Sequence, residues 1–81
     1  MFRHSSDTIT NNVAEQRRVR GLTQRQLADL VDVSKQTIYM MERGNYLPSL
    51  LLAFRLAKVL DVNISELFSY VPNQKKERWS S

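Results

Sequence analysis

Apolar residues recur in the middle of this chain at spacings that fit short helices. Leu27, Ala28 and Val31 share one helix face, and a broader apolar face repeats over residues 50–60. Residues that suit a helix terminus interrupt these stretches, among them Gly21 and Gly44 after predicted last turns. The pattern predicts five short helices with little or no sheet, which is an all-α domain.

Each predicted helix begins at a residue that can cap it. Asn11 or Asn12 is expected to cap the first helix by accepting from free backbone N–H groups. Thr23 and Asn63 are each followed three residues later by Gln or Glu, which is the spacing of a capping box. The predicted helices span residues 12–20, 24–32, 35–43, 50–60 and 64–68. The last four follow the capping residues Thr23, Ser34, Ser49 and Asn63. Residues 68–71 are compatible with a short extended segment.

The composition divides the chain into three parts. Its 81 residues suit one domain with a modest core. Residues 1–8 are predicted to be a flexible arm, residues 9–71 the folded domain, and residues 72–81 a polar, basic tail. No role is assigned to His4 in the arm, and the tail with Trp79 is expected to be solvated.

The charge of the chain favours a polyanionic partner. The net charge is +4 and the isoelectric point about 9.9. These values favour nucleic acid first and an anionic membrane second, with a solvated basic surface as the alternative. The absence of cysteine excludes disulfides and thiolate zinc sites. Because no apolar run suits a signal peptide or a bilayer span, a cytoplasmic protein is expected.

The second and third predicted helices, joined by a tight turn at residues 32–34, have the arrangement of a helix-turn-helix. The helical repeat separates two faces of the third helix. One face holds Ser34, Thr37, Ile38 and Met41, and the other holds Lys35, Gln36, Tyr39, Met40 and Arg43. The first face is expected to pack on the domain, which holds the second rigid for a DNA major groove about 12 Å wide.

Several motifs occur in a fixed order. They are Gly21–Ala28 (GLTQRQLA), Val33–Ile38 (VSKQTI), Met41–Gly44 (MERG), Pro48–Leu50 (PSL), Leu56–Ala57 (LA) and Glu66–Phe68 (ELF). Their order and spacing resemble the Cro/cI-type helix-turn-helix family, also called the XRE family, over roughly residues 12–70. The resemblance implies a compact five-helix, lambda-repressor-like domain. It is strongest to the short single-domain members, which act as dimeric repressors or autoregulators.

The resemblance implies a role for each residue at a matching position. Base reading is implied for Lys35, Gln36, Tyr39 and Met40. Phosphate contacts are implied for Gln24, Thr37, Arg43, Asn45 and Tyr46. Arg17 and Glu42 match a family ion pair that ties the first helix to the third. Lys35 is suited to hydrogen-bond with guanine and Gln36 with adenine, whereas Met40 is suited to contact a thymine methyl group.

Three residues depart from the family pattern. Tyr39 is bulkier than the small polar residue common at its position, and Gln16 stands where an apolar residue is usual. Met40 is apolar although its position on the helix predicts exposure. These departures concern the individual base contacts and leave the predicted fold unchanged.

The fourth predicted helix is apolar around much of its circumference, which is typical of a helix buried on two sides. In so small a domain the second side is expected to meet another chain. The interface candidates are Leu51, Phe54, Phe68 and Tyr70. A homodimer would read an inverted repeat with half-sites about one helical turn apart.

The predicted function is sequence-specific binding of double-stranded DNA by a transcriptional regulator, which is a repressor or an autoregulator. The alternative is an antitoxin-like or other protein-interaction module in which DNA binding is secondary. Catalysis is not expected, because the folded region has no histidine, cysteine, glycine-rich phosphate loop or clustered carboxylate pair. No cofactor, metal site, membrane association or small-molecule domain is predicted.

Overall fold

The computed structural model describes residues 7–72, and within them five helices and two strands. In chain order the elements are β1 (Thr8–Asn11), α1 (Val13–Val19), α2 (Gln24–Leu30), α3 (Lys35–Glu42), α4 (Leu50–Leu60), α5 (Ile64–Leu67) and β2 (Phe68–Val71). The five predicted helices are confirmed. Most of the predicted arm (1–8) and tail (72–81) lies outside the described residues.

Side chains cap three of the helices as the sequence predicts. The Thr23 hydroxyl accepts from the Gln26 backbone N–H at 3.0 Å, and the Gln26 side-chain oxygen accepts from the Thr23 N–H at 2.8 Å. Ser34 and Ser49 each accept one backbone N–H of the first turn at 3.1 Å. Such caps satisfy backbone donors that have no partner within the helix. They fix where α2, α3 and α4 begin.

The start of α1 is capped from one residue further upstream. Asn12 is the residue before the helix, but its side chain makes no capping bond. The Asn11 side-chain oxygen instead accepts from the Val13 backbone N–H at 3.0 Å. Of the two residues that the sequence offered as caps, Asn11 performs the role.

The core is built from apolar residues on the inward faces of all five helices. Ile38 and Met41 of α3, and Leu56 and Leu60 of α4, are completely buried. Within residues 7–72, the buried cluster comprises Val13, Leu27, Ala28, Val31, Ile38, Met41, Leu52, Leu56, Ala57, Leu60 and Leu67, and Ala53 is buried as well. At roughly 25 cal/mol for each Å² of apolar surface removed from water, this cluster is the main stabilising contribution. It holds α3 from its inner side.

The two strands form an antiparallel sheet in which Ile9 lies opposite Tyr70 and Asn11 opposite Phe68. β2 coincides with the extended segment considered at residues 68–71. Its partner β1 was not predicted, and Thr8, assigned to the flexible arm, is the first residue of that strand. Because β1 pairs with a segment near the other end of the fold, no local sequence pattern indicates it.

Candidate nucleic-acid interface

Helices α2 and α3 are connected by a tight turn at residues 31–34. The Val33 N–H donates to the Ala28 carbonyl at 3.0 Å, which closes the end of α2, and Asp32 adopts a left-handed conformation with φ of 61°. Leu27 and Ala28 of α2 and Ile38 of α3 are buried against the core. The opposite side of α3 is therefore held in place and left free.

The free side of α3 carries the residues predicted to read bases. Lys35, Gln36 and Tyr39 are exposed, and Tyr39 retains 41% of its accessible surface. Met40, by contrast, is half-buried, although its position on the helix predicted exposure. Met40 lies at the edge of the outer face, where a long apolar side chain loses contact with water by lying along the domain. Its surface available to a ligand is thus smaller than expected.

Tyr39 and Arg43 form a pair on the outer face of α3. The guanidinium carbon of Arg43 lies 5.5 Å from the centre of the Tyr39 ring, within the range of a cation–π contact. The two residues are four positions apart, and the Arg43 backbone N–H donates to the Tyr39 carbonyl at 3.2 Å. This contact was not predicted from the sequence.

The residues predicted to contact phosphates lie around both ends of α3. Arg43, Asn45 and Tyr46 follow the helix and are exposed. The chain turns there through Gly44, whose φ of 80° lies in the left-handed region that favours glycine. Thr37 is half-buried in the first turn, with its hydroxyl oxygen 3.0 Å from that of Ser34.

Gln24, the other phosphate candidate, belongs to a network of three side chains. The Arg17 guanidinium donates to both oxygens of Glu42, at 2.7 and 3.2 Å, and to the Leu22 carbonyl at 2.8 Å. The Gln24 side-chain N–H donates to the same Glu42 carboxylate at 3.0 Å. The side chains of Arg17 and Glu42 are only 12% and 6% exposed. The network joins α1, the start of α2 and the last residue of α3.

The residues proposed for a dimer interface differ in exposure. Leu51, Phe54 and Tyr70 are exposed, whereas Phe68 is half-buried and packs against the core. The sequence did not single out Leu47 and Leu50, which are also exposed and have the same apolar character. We refer to the exposed residues Leu47, Leu50, Leu51 and Phe54 as the apolar strip.

A groove connects Tyr70 with this strip. It runs between one face of the β1–β2 sheet and the loop that links α3 to α4. Tyr70 and Phe68 line it from the sheet, and Tyr46, Leu47 and Pro48 line it from the loop. Leu47 therefore belongs both to the groove and to the apolar strip.

Residues 7–72 contain neither a cluster of metal-ligating side chains nor a membrane-spanning helix. Within this range, no group of histidine, cysteine and acidic residues could ligate a metal ion. Each helix in the range is also too short or too polar to cross a membrane.

A helix held by its buried face, with an exposed polar outer face and a tight turn before it, defines a helix-turn-helix domain. The family model described as helix-turn-helix matches residues 13–67. The chain belongs to this family, in its XRE-type branch, and is a DNA-binding regulator of transcription. The family consists of regulators and not of enzymes.

Individual relatives agree with the family. An uncharacterized HTH-type transcriptional regulator of Methanocaldococcus jannaschii is 45% identical over 62 residues, covering 76% of this chain and 94% of that protein. The restriction-modification controller protein C.AhdI of Aeromonas hydrophila superposes with a TM-score of 0.63 at 33% identity, covering 67% of this chain and 82% of its own. A putative DNA-binding protein of Bacteroides fragilis shares the fold, with a TM-score of 0.71 at 24% identity, covering 76% of this chain and 100% of its own.

Proposed function

We propose that this regulator binds an inverted-repeat operator as a homodimer and represses transcription from it. The observation that carries the proposal is the outer face of α3, where exposed polar side chains stand on a helix whose other face is buried. Such a helix fits the DNA major groove without rearrangement of the domain. Similarity to a restriction-modification controller protein supports a regulatory role for this surface.

Lys35 and Gln36 are the residues proposed to read bases through hydrogen bonds. Both are exposed in the first turn of α3, the part of a recognition helix that contacts base edges. The Lys35 ammonium group can donate to guanine O6 and N7, and the Gln36 amide can pair with adenine N6 and N7. These contacts would distinguish an operator from other sequences.

Phosphate contacts are proposed for Gln24, Thr37, Arg43, Asn45 and Tyr46. Arg43, Asn45 and Tyr46 are exposed beyond the end of α3, beside the base-reading face. Gln24 can reach a phosphate with the amide hydrogen that Glu42 does not use, since a primary amide carries two donors. These contacts would set the position of α3 on the duplex without reading sequence.

The exposed apolar strip and the need for sequence specificity both support a homodimer. The apolar strip gives each protomer four large apolar side chains in contact with water, an arrangement typical of a surface that binds another protein. One recognition helix contacts too few base pairs to single out a site among genomic competitors. Two-fold association through the strip would double those contacts and require an inverted repeat.

Selection from a random duplex library tests the proposal directly. The full chain is incubated with the library, bound duplexes are amplified, and the enriched sequence is titrated at two salt concentrations. We expect an inverted repeat bound roughly a thousandfold or more tighter than random DNA at physiological salt. Steeply salt-dependent binding without an enriched sequence would contradict it and favour a module whose main partner is a protein.

A further inference from the structure

We infer that Tyr39 and Arg43 act as one base-reading unit, in which Arg43 holds the Tyr39 ring against the methyl group of a thymine. Arg43 is then a positioning residue for Tyr39, in addition to any contact it makes with the DNA backbone. The inference rests on the proposed function, because it assumes that the outer face of α3 enters the major groove.

Tyr39 and Arg43 occupy neighbouring positions on the outer face of α3. Tyr39 and Arg43 lie between Lys35 and Gln36 around the helix, which is the middle of the outer face. Both are exposed, and the buried residues Ile38 and Met41 are on the opposite side. A ring in the middle of this face is the bulkiest group that the helix would present to the groove.

Arg43 restrains the Tyr39 ring in the protein without DNA. An exposed tyrosine on a helix surface exchanges between rotamers, and fixing it on DNA costs conformational entropy. The Arg43 guanidinium lies 5.5 Å from the ring centre and holds the ring by a cation–π contact. The bond from the Arg43 backbone N–H to the Tyr39 carbonyl keeps Arg43 in the last turn of the helix, so the two side chains lie one turn apart on the same face. The restraint therefore exists before DNA is bound, which reduces the cost of ordering the ring on the operator.

The Tyr39 ring is suited to contact an apolar group on a base edge. The guanidinium lies over the ring, and Tyr39 keeps 41% of its surface exposed, so part of the ring is accessible to DNA. The C5-methyl group of thymine is the apolar feature of the major groove, and apolar side chains recognise it by contact. Met40 is the other apolar residue of this face, but it is half-buried whereas Tyr39 is exposed. The geometry therefore favours Tyr39 for the thymine contact.

Replacement of thymine by uracil tests the unit, because it removes the methyl group and leaves the base pairing unchanged. Each thymine of the selected operator is replaced in both half-sites, and the affinities for the thymine and uracil duplexes are compared. At one position the wild-type protein is expected to lose about fourfold in affinity per half-site, the value of one buried methyl group. Tyr39→Ala is expected to bind both duplexes equally, and Tyr39→Phe to retain the wild-type ratio.

Arg43→Ala decides whether Arg43 acts through Tyr39. We expect this variant to lower the ratio of the affinities for the thymine and uracil duplexes to less than about half the wild-type ratio. In a protein that already carries Tyr39→Ala, adding Arg43→Ala should leave this ratio unchanged. The control is Arg55→Ala, which removes an exposed arginine of α4 and should leave the ratio unchanged. Circular dichroism checks that each variant remains folded.

Three results would overturn the inference. The first is an Arg43→Ala protein whose thymine-to-uracil affinity ratio stays above half the wild-type ratio. The second is a Tyr39→Phe protein that binds the thymine and uracil duplexes equally. The third is a wild-type protein whose affinity does not depend on the methyl group at any thymine. In each case the wild-type preference for the operator over random DNA would still stand. Failure of the proposed function is distinguishable, because it would remove that preference itself.

Discussion

At the end of α3 the Glu42 carboxylate accepts hydrogen bonds from side chains of two other helices. Arg17 of α1 donates to both of its oxygens, and Gln24 of α2 donates to one of them. Because a carboxylate only accepts, the nitrogen of the Gln24 amide must face it, which fixes the orientation of that amide. Glu42, which is not among the residues proposed to read bases, thus orients the Gln24 amide that is proposed to bind a DNA phosphate.

Removing one member of the Arg17–Glu42 pair should destabilise the fold strongly. Glu42→Ala leaves the Arg17 guanidinium without its carboxylate in a site where the side chain is only 12% exposed. We expect a loss of about 3 kcal/mol in the free energy of unfolding, the lower end of the range for buried pairs. Urea denaturation of the wild type and the variant measures it.

The double variant Arg17→Met/Glu42→Leu is the matched control for that experiment. It removes both charges, so no unpaired charge is left in the partly buried site. It should therefore be more stable than Glu42→Ala. A double variant that is less stable than the single one would show that the ion pair itself, rather than the unpaired charge, accounts for the loss.

Loss of a side chain proposed to read bases should reduce specificity rather than general DNA affinity. Lys35→Ala or Gln36→Ala is expected to cost about 1–3 kcal/mol on the selected operator and little on random DNA. Lys58→Ala removes an exposed lysine of α4 and should affect neither. Competitive titration with both duplexes gives the comparison, and an equal loss on operator and random DNA would contradict the assigned roles.

Some residue contacts could be anticipated from the sequence and others could not. The pair of Arg17 and Glu42 follows from a family resemblance, because both residues occupy matching positions. The bond from Gln24 to Glu42 and the half-burial of Met40 depend on how the helices pack. A pattern along one helix carries no information on the distance between side chains of different helices.

Among the elements, the β1–β2 sheet is the one that lies outside the matched family region of residues 13–67. It is bonded to the helices nonetheless. The Asn11 side-chain N–H donates to the Met41 carbonyl of α3 at 3.1 Å, and the Asn12 backbone N–H donates to the Leu67 carbonyl of α5 at 3.1 Å. The sheet therefore supports the C-terminal end of the recognition helix.

Asn11→Ala should weaken this support. The variant loses the bond to the Met41 carbonyl and the bond that caps α1 at Val13. We expect a loss of about 1–2 kcal/mol in the free energy of unfolding. Thr10→Ala, at an exposed position of the same strand, should change it by less than about 0.5 kcal/mol. Thermal unfolding of the three proteins checks both values, and equal midpoints would exclude a supporting role for Asn11.

The helices were predictable because their signals are local, whereas β1 was not. Thr23, Ser34 and Ser49 each bond to a backbone group three residues away, so the sequence shows both partners at once. The strand β1 is four residues long, and its partner begins at Phe68, at the other end of the fold. Only the folded chain brings these two segments together.

For the whole molecule, the position of the apolar strip relative to α3 would determine how the two copies of the proposed homodimer bind DNA. The strip begins at Leu47, in the loop that follows α3, and continues through the first half of α4. In a dimer formed through the apolar strip, the short loop between α3 and α4 would set the distance between the α3 helices of the two protomers. Dimer formation and operator affinity are then expected to change together.

Leu51→Glu should weaken the dimer by about tenfold or more, because it places a charge in the centre of the strip. Leu30→Glu is a matched control, since Leu30 is 57% exposed and Leu51 is 60% exposed, and Leu30 lies on α2, away from the strip. Sedimentation equilibrium measures the association, and operator titration shows whether affinity falls with it. An unchanged association constant for Leu51→Glu would remove this residue from the interface.

The pairing of Thr8 with Val71 has a mechanical consequence. Because the outermost pair of the sheet joins the two ends of the described fold, a force that pulls those ends apart acts on the hydrogen bonds one pair at a time. The sheet would open pair by pair at low force, and the bonds from Asn11 to Met41 and from Asn12 to Leu67 would be the next to break. Only then would the load reach the buried side chains of Val13 and Leu67, so the helical core would resist extension after the sheet had already separated.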